Sequence, residues 1–154
     1  MASGAGEIVR IWVKRSHRGV MDARDRARVI ADHGLEGGVS GGKSRTVTLL
    51  EEERWAAATA HVGAEVDPAA RRANVLVRGI SLAKSRGRRL RIGSCLLEIR
   101  GETRPCERMD EAQPGLCAAL DPDWRAGAYG RVLEEGDIAV GDEVRFEDTG
   151  ASEG

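Results

Sequence analysis

Short runs of branched and alternating apolar residues, most of them closed by glycine, recur along this chain and constrain its fold more than any other feature. Residues 7–14 (EIVRIWVK), 46–50 (TVTLL), 74–78 (NVLVR), 94–99 (SCLLEI) and the closing series GRVLEEG, DIAVG and DEVRFED each read as a strand. In the stretch 84–92, Leu90 and Ile92 alternate with Arg89 and Arg91, which predicts a hairpin strand with its apolar side inward and its arginines in water. A helix is expected at 51–62, where three glutamates open an alanine-rich body and Trp55, Ala58 and Val62 share one face, with Gly63 as its stop. A second small helix is expected within 109–120, after Pro114, and residues 22–32 (DARDRARVIAD) read as one or two helical turns. Many short strands and few helices specify a mainly β fold: a barrel of mostly antiparallel strands carrying helical insertions.

The 154 residues are enough to bury a core without covalent staples, and predict a single domain over 1–154 with its core at about 7–147 and a disordered tail at 148–154. The net charge is only -1, which argues against a general affinity for nucleic acid. The cations between Lys84 and Arg91 have no aromatic residues interleaved for base stacking, so they read as a solvated face. No apolar run approaches a membrane span, and the N-terminal MASGAGE lacks a basic region followed by an apolar one. The expectation is a soluble cytoplasmic protein with neither membrane nor nucleic acid among its partners.

Three cysteines without an export signal make a disulfide framework improbable, and the absence of a C-x-x-C pair argues against structural zinc. Cys95 alternates with Leu97 and Ile99 and is expected on a buried face; Cys117 lies beside Leu116 and Leu120 and is expected to pack. Cys106 differs. It stands in GETRPCERMD, where Pro105 stiffens the backbone and Arg104, Glu107 and Arg108 supply charge. Nearby guanidinium groups favour the thiolate, the form that attacks electrophiles and binds soft metals. On these residues alone, a reactive thiolate and a turn cysteine without a role both remain open.

Residues 37–44 (GGVSGGKS) satisfy the phosphate-loop pattern G-x-x-x-x-G-K-[ST]. That motif works between a buried strand and a helix whose N-terminus faces the phosphates. Here ADHGLE precedes it and RTVTLL, a strand-like run, follows it. The stretch therefore reads as a loop whose glycines permit close backbone approach, with Lys43 and Arg45 favouring an anion.

The order of these pieces resembles the MOSC domain, the family named for the C-terminal domain of molybdenum cofactor sulfurase. The motifs are GLEGG at 34–38, RTVTLL at 45–50, RRANVLVRGISL at 71–82, GRRLRIG at 87–93, RPCERM at 104–109 and GAYGRVLEEGDIAVGDEV at 127–144. The resemblance implies a β-barrel and places the family's Pro-Cys cysteine on Cys106, linked in relatives to sulfur transfer or to ligation of molybdenum in a molybdopterin cofactor. It implies that Lys43, Arg45, Arg72, Asn74 and Arg104 form the cofactor-binding set, the cations taking the pterin phosphate. It further implies a small-molecule substrate of the N-hydroxylated kind reduced with electrons from a separate redox partner. The alternative it leaves is a non-catalytic carrier that takes sulfur from a donor and delivers it to metal–sulfur cofactor assembly. One departure stands out: Gly38 and Ser40 occupy the places where many members carry an acid and, two residues on, a histidine.

Overall fold

A computed structural model describes residues 5–14, 21–31, 33–38, 47–103 and 108–147. They form strands β1 (Gly6–Lys14), β2 (Met21–Arg24), β3 (Arg26–Ile30), β4 (Gly34–Leu35), β5 (Val47–Glu51), β6 (Val75–Arg78), β7 (Arg89–Ile92), β8 (Cys95–Glu102), β9 (Ala128–Glu134), β10 (Gly136–Ala139) and β11 (Glu143–Phe146). Helices α1 (Glu52–Val62), α2 (Arg108–Ala112) and α3 (Leu116–Leu120) interrupt them, with tight 3-10 turns at Pro68–Arg71 and Pro122–Trp124.

Seven strands close into a barrel in the order β1-β6-β5-β9-β8-β7-β11 and back to β1. Its pairs are antiparallel except β5 and β6, which run parallel because α1 carries the chain back between them. The strand β1 serves two structures along one edge. Gly6 and Glu7 pair with β11 and close the barrel, whereas Ile11 to Lys14 pair with β2. Its register against β6 shifts between Ile8 and Arg10. Without that bulge, Ile8 and Ile11 would face opposite ways; with it both enter the interior.

Strand alternation builds two cores. Ile11, Val13, Leu49, Val75, Val77, Leu97 and Ile99 fill the barrel. Trp12, Leu50 and Leu76, their neighbours on the outer face, bury against Trp55 and Ala58 of α1, Met109 of α2, and Leu116 and Leu120 of α3. The helix at α1 matches the expectation from spacing, with Glu52 and Glu53 in its first turn and Gly63 at its end. Leu90 and Ile92 point inward as expected, while Arg91 is held in the hairpin by Glu147 at 2.7 Å and Glu134 at 3.0 Å.

One local expectation changes. The described part of the stretch 22–32 is not helical: residues 22–30 supply most of β2 and all of β3, separated by a bend at Asp25. β3 sits between β10 and β4 in a second, three-stranded sheet, with Val29 fully buried and Arg26 and Arg28 exposed. The charges that suggested a solvated helix are the outer side of a strand, and pairing with the distant β10 decides the conformation. The small helix expected after Pro114 is α3, and a further short helix, α2, precedes the proline. The tail at 148–154 lies outside the described residues.

Two carboxylates at the start of α1 hold the segment after β6: Gly79 N donates to Glu53 at 2.7 Å, and Leu82 N to Glu51 at 3.0 Å. Glu51 is buried, and that burial raises its pKa, opposed by the Leu82 hydrogen bond and Arg54 and reinforced by Glu53. The folded state thus holds this proton more tightly than the unfolded chain. Stability from this group is complete below the ordinary glutamate range and falls as pH rises through the elevated folded value. Glu51→Gln keeps an acceptor for Leu82 N and removes the titration. Denaturant midpoints across pH are expected to show a flatter profile and, at neutral pH, stability unchanged or raised by about 1 kcal/mol; a midpoint several kcal/mol lower at neutral pH would show that the carboxylate itself is needed.

Candidate functional site

One hydrogen-bonded row crosses five barrel strands, through Ile11, Val75, Leu49, Ala128 and Glu102, and the residues beside it form the rim of the candidate site. Hydrogen bonds define it. Trp12 N donates to Asn74 O at 2.7 Å, and Asn74 N donates to Thr48 O at 3.0 Å. The Asn74 side chain completes the join: its Oδ1 accepts from Thr48 N at 3.0 Å and from Thr48 Oγ1 at 3.1 Å. A single amide thereby ties the start of β5 to the residue preceding β6. Arg72 sits two residues earlier, half-buried, with a left-handed backbone (φ 61°) that ends the turn at Pro68–Arg71.

On the other side of the rim, Thr103 follows β8. Its N–H donates to Gly127 O at 2.9 Å, and its hydroxyl donates to Ala126 O at 2.8 Å. The same Ala126 carbonyl accepts from Arg71 Nε at 2.9 Å. Gly127 adopts φ 111°, and a Cβ there would collide with the Leu49 carbonyl oxygen. The root of the stretch containing Cys106 is thus built by Thr103, Arg71 and a position only glycine fills well. Met109, buried in the outer core, anchors the chain where α2 takes over. Arg125 lies beside this cluster. Its Nη1 donates to Ala119 O at 3.0 Å, while its buried Nε has no partner among the described residues.

Segments 15–20 and 39–46 adjoin the row where β1 ends and β5 begins, and segment 104–107 adjoins it where β8 ends. The first follows Lys14 and the second begins after Gly38, whose Cβ position lies 3.3 Å from Lys14 O. The second rejoins at Val47, next to Thr48, and the third begins after Thr103. Cys106, Arg104, Lys43 and Arg45 lie in these segments, outside the described residues. Arg72 and Asn74 are the members of the expected set that the structure places, and both belong to the rim.

The remaining cysteines fit packing. Cys95 is fully buried, and loss of solvent pushes its thiol up to about 12, against a lowering influence of Arg91. It stays protonated and inert at neutral pH. Cys117 is half-buried against the outer core. Among the described residues, no three His, Cys, Asp or Glu side chains gather as a metal site. No helix among them is long and apolar enough to cross a membrane. Around the phosphate-loop pattern the described elements are a two-residue strand before it and β5 after it, not a buried strand and a helix.

Loss of one donor to Ala126 tests the rim. Thr103→Val is expected to cost about 1 kcal/mol in a denaturant titration, because Arg71 still satisfies the carbonyl, and Thr103→Ser to restore it. Equal stability of the valine variant would show that this hydrogen bond contributes nothing.

A family model described as MOSC domain matches residues 36–145, from the turn after β4 into β11. The chain belongs to the MOSC domain family. Solved structures share the MOSC fold. The YuaD protein from Bacillus subtilis superposes with a TM-score of 0.75 at 19% identity, over 91% of this chain and 94% of that one. YiiM from Geobacillus stearothermophilus gives 0.71 at 18% identity, over 96% and 77%. YiiM from Escherichia coli gives 0.68 at 15% identity, over 92% and 70%. Comparison with curated proteins finds no match. The closed barrel with few helices is the architecture expected from the MOSC resemblance.

Arg71, Thr103, Arg125 and Gly127 complete the list of rim residues, and residue-type reasoning did not single them out for a role. Gly127 carried a signal, a glycine immediately before a strand. The other three act on backbone carbonyls, which every residue possesses.

Proposed function

We propose that the rim holds a molybdenum-containing pterin cofactor through the thiolate of Cys106, and that the loaded protein reduces N-hydroxylated small molecules with electrons from a separate redox protein. The observation that carries this reading is convergence. The described residues flanking the Cys106 segment, those flanking the Lys43 and Arg45 segment, and the Arg72–Asn74 connection all border the one hydrogen-bonded row across β1, β6, β5, β9 and β8.

The residues there suit such a group. A thiolate is a soft ligand for a soft metal centre, and guanidinium groups suit a phosphate. Arg125 offers a buried Nε without a partner among the described residues. In this assignment Cys106 ligates the metal, while Lys43, Arg45, Arg72 and Arg104 take the phosphate. Asn74, whose Oδ1 is engaged by Thr48, contributes through its amide Nδ2 or by fixing the rim. When bound, the metal centre supplies a two-electron reduction of N–OH to N–H with two protons and release of water. At position 38, where many relatives carry an acid, the Cβ site is hemmed in by Leu35 O and Lys14 O, each at 3.3 Å. A side chain there would begin tightly against two carbonyl oxygens, and with glycine at the position proton delivery in this chain belongs to another group.

Metal and pterin analysis of protein expressed with molybdate tests the reading. Wild type is expected to carry both, and Cys106→Ser to lose molybdenum; equal content in the two would overturn the ligand role. Incubation with a cysteine desulfurase followed by intact-mass analysis separates the sulfur-carrier alternative. A persulfide on Cys106 in protein devoid of molybdenum would favour the carrier.

A further inference from the structure

A second concave feature lies beside the rim. A cleft of about 620 Å³ opens between the second sheet and the β1–β2 hairpin. Ala27, Ile138 and Ala139 give it an apolar floor, Val13 marks its rim end, and Arg24, Arg26 and Arg28 supply its positive charge. The three arginines recur at every second residue across the bend at Asp25, the spacing that brings side chains to one side of extended backbone.

We propose that this cleft binds a phosphate monoester, its oxygens taken by Arg24, Arg26 and Arg28 and the body of the ligand lying on the apolar floor. The lining sets the three arginines against three acids, Glu36, Asp137 and Asp142, so the support comes from how weakly those acids engage the arginines. Arg26 has no acidic partner among the described residues. Arg24 reaches Asp22 only at 3.6 Å, and Arg28 reaches Asp137 at 3.3 Å with both side chains about half exposed or more. Exposed pairs of this kind contribute little and exchange readily for a better anion. A dianionic phosphate accepts bidentate hydrogen bonds from several guanidinium groups at once, which a single carboxylate does not match. Asp142 faces the cleft, but its Oδ2 already accepts from Ala139 N at 2.9 Å. Glu36 is the remaining acid in the cleft, and no described partner neutralises it. It suits a hydrogen-bond donor on the far part of the ligand and sets a limit on total negative charge. The volume falls within the range of small-molecule sites.

Binding of adenosine 5′-monophosphate, adenosine and inorganic phosphate, followed by titration calorimetry at low and high salt, tests this without molybdenum or turnover. Adenosine monophosphate is expected to bind at least about tenfold more tightly than adenosine, to be displaced by inorganic phosphate, and to weaken with salt. The double variant R26Q/R28Q, exposed positions where folding is checked by melting, is expected to lose about tenfold or more in affinity. Glu36→Gln is expected to tighten binding, and Cys106→Ser to leave it unchanged. Absence of binding, equal binding of adenosine, or an unaffected R26Q/R28Q would overturn the proposal. So would loss in Cys106→Ser alone, which would move the anion to the rim.

Discussion

Gly127→Ala is expected to lower folding stability by about 3–5 kcal/mol, enough to unfold much of the protein at moderate denaturant. Two costs combine. The backbone at φ 111° lies outside what L side chains accept, a strain of about 1–3 kcal/mol. The new methyl would also meet the Leu49 carbonyl oxygen and crowd Thr103 Oγ1 at 3.1 Å, and overpacking of that kind adds about 1–3 kcal/mol. Relief by backbone movement is blocked on both sides. Leu49 pairs with Ala128 and Val75 in the barrel, and Gly127 O is the acceptor for Thr103 N. A typical domain has only about 5–15 kcal/mol to lose. Urea midpoints measure the effect directly. A change below about 1 kcal/mol would mean that the rim yields, and that the strand ends around Cys106 are softer than their hydrogen bonds imply.

Trp55→Ala is expected to cost about 3–5 kcal/mol, the range for emptying a large aromatic site. Trp55 is 4% exposed at the centre of the outer core, and its Nε1 donates to Val66 O at 2.7 Å. That bond ties α1 to the segment leading into the Pro68–Arg71 turn, so the consequence travels beyond stability. Arg71, at the end of the turn, should lose its fixed approach to Ala126 O. Trp55→Phe separates the two contributions: it retains most of the packing, drops the N–H donor and leaves Val66 O without it. A loss of about 1–2 kcal/mol is expected for phenylalanine. If phenylalanine were as damaging as alanine, the hydrogen bond and not the packing would hold the helix in place.

The barrel was legible where periodicity reports on burial. Alternation in EIVRIWVK, NVLVR and SCLLEI placed the strands, and the acidic start and glycine stop placed α1, because each of these signals is local. The stretch at 22–32 was misread for the opposite reason. Its conformation depends on β10, more than a hundred residues away in the chain, and the two-residue period of Arg24, Arg26 and Arg28 is too short, with Asp22 and Asp25 between, to outweigh a helical reading before that partner is known. At the site, Cys106 could be singled out because cysteine between arginines is chemically unusual. Thr103 and Arg125 could not, since they work on the carbonyls of Ala126 and Ala119, acceptors that any residue would have supplied. The Arg24, Arg26 and Arg28 series was visible as residues but not as a surface until β2 and β3 took the place of a helix.

The divided pairing of β1 bears on the order in which the barrel assembles. Its seam to β11 pairs Gly6 and Glu7 with Val144 and Glu143, is extended by Ile8 against Gly141 and Asp142, and joins the first and last strands of the fold. The pairings from β1 through β6, β5, β9 and β8 to β7 can form while β11 is still unmade, so the hoop is completed only after the final strand arrives. Contacts between such distant segments are the slowest to form and the first to open. In a chain emerging residue by residue, β1 would wait with one half already paired to β2 and the other half bare. Amide exchange should find the same division within one strand: slow at Trp12, which is bonded to Asn74, and fast at the seam residues.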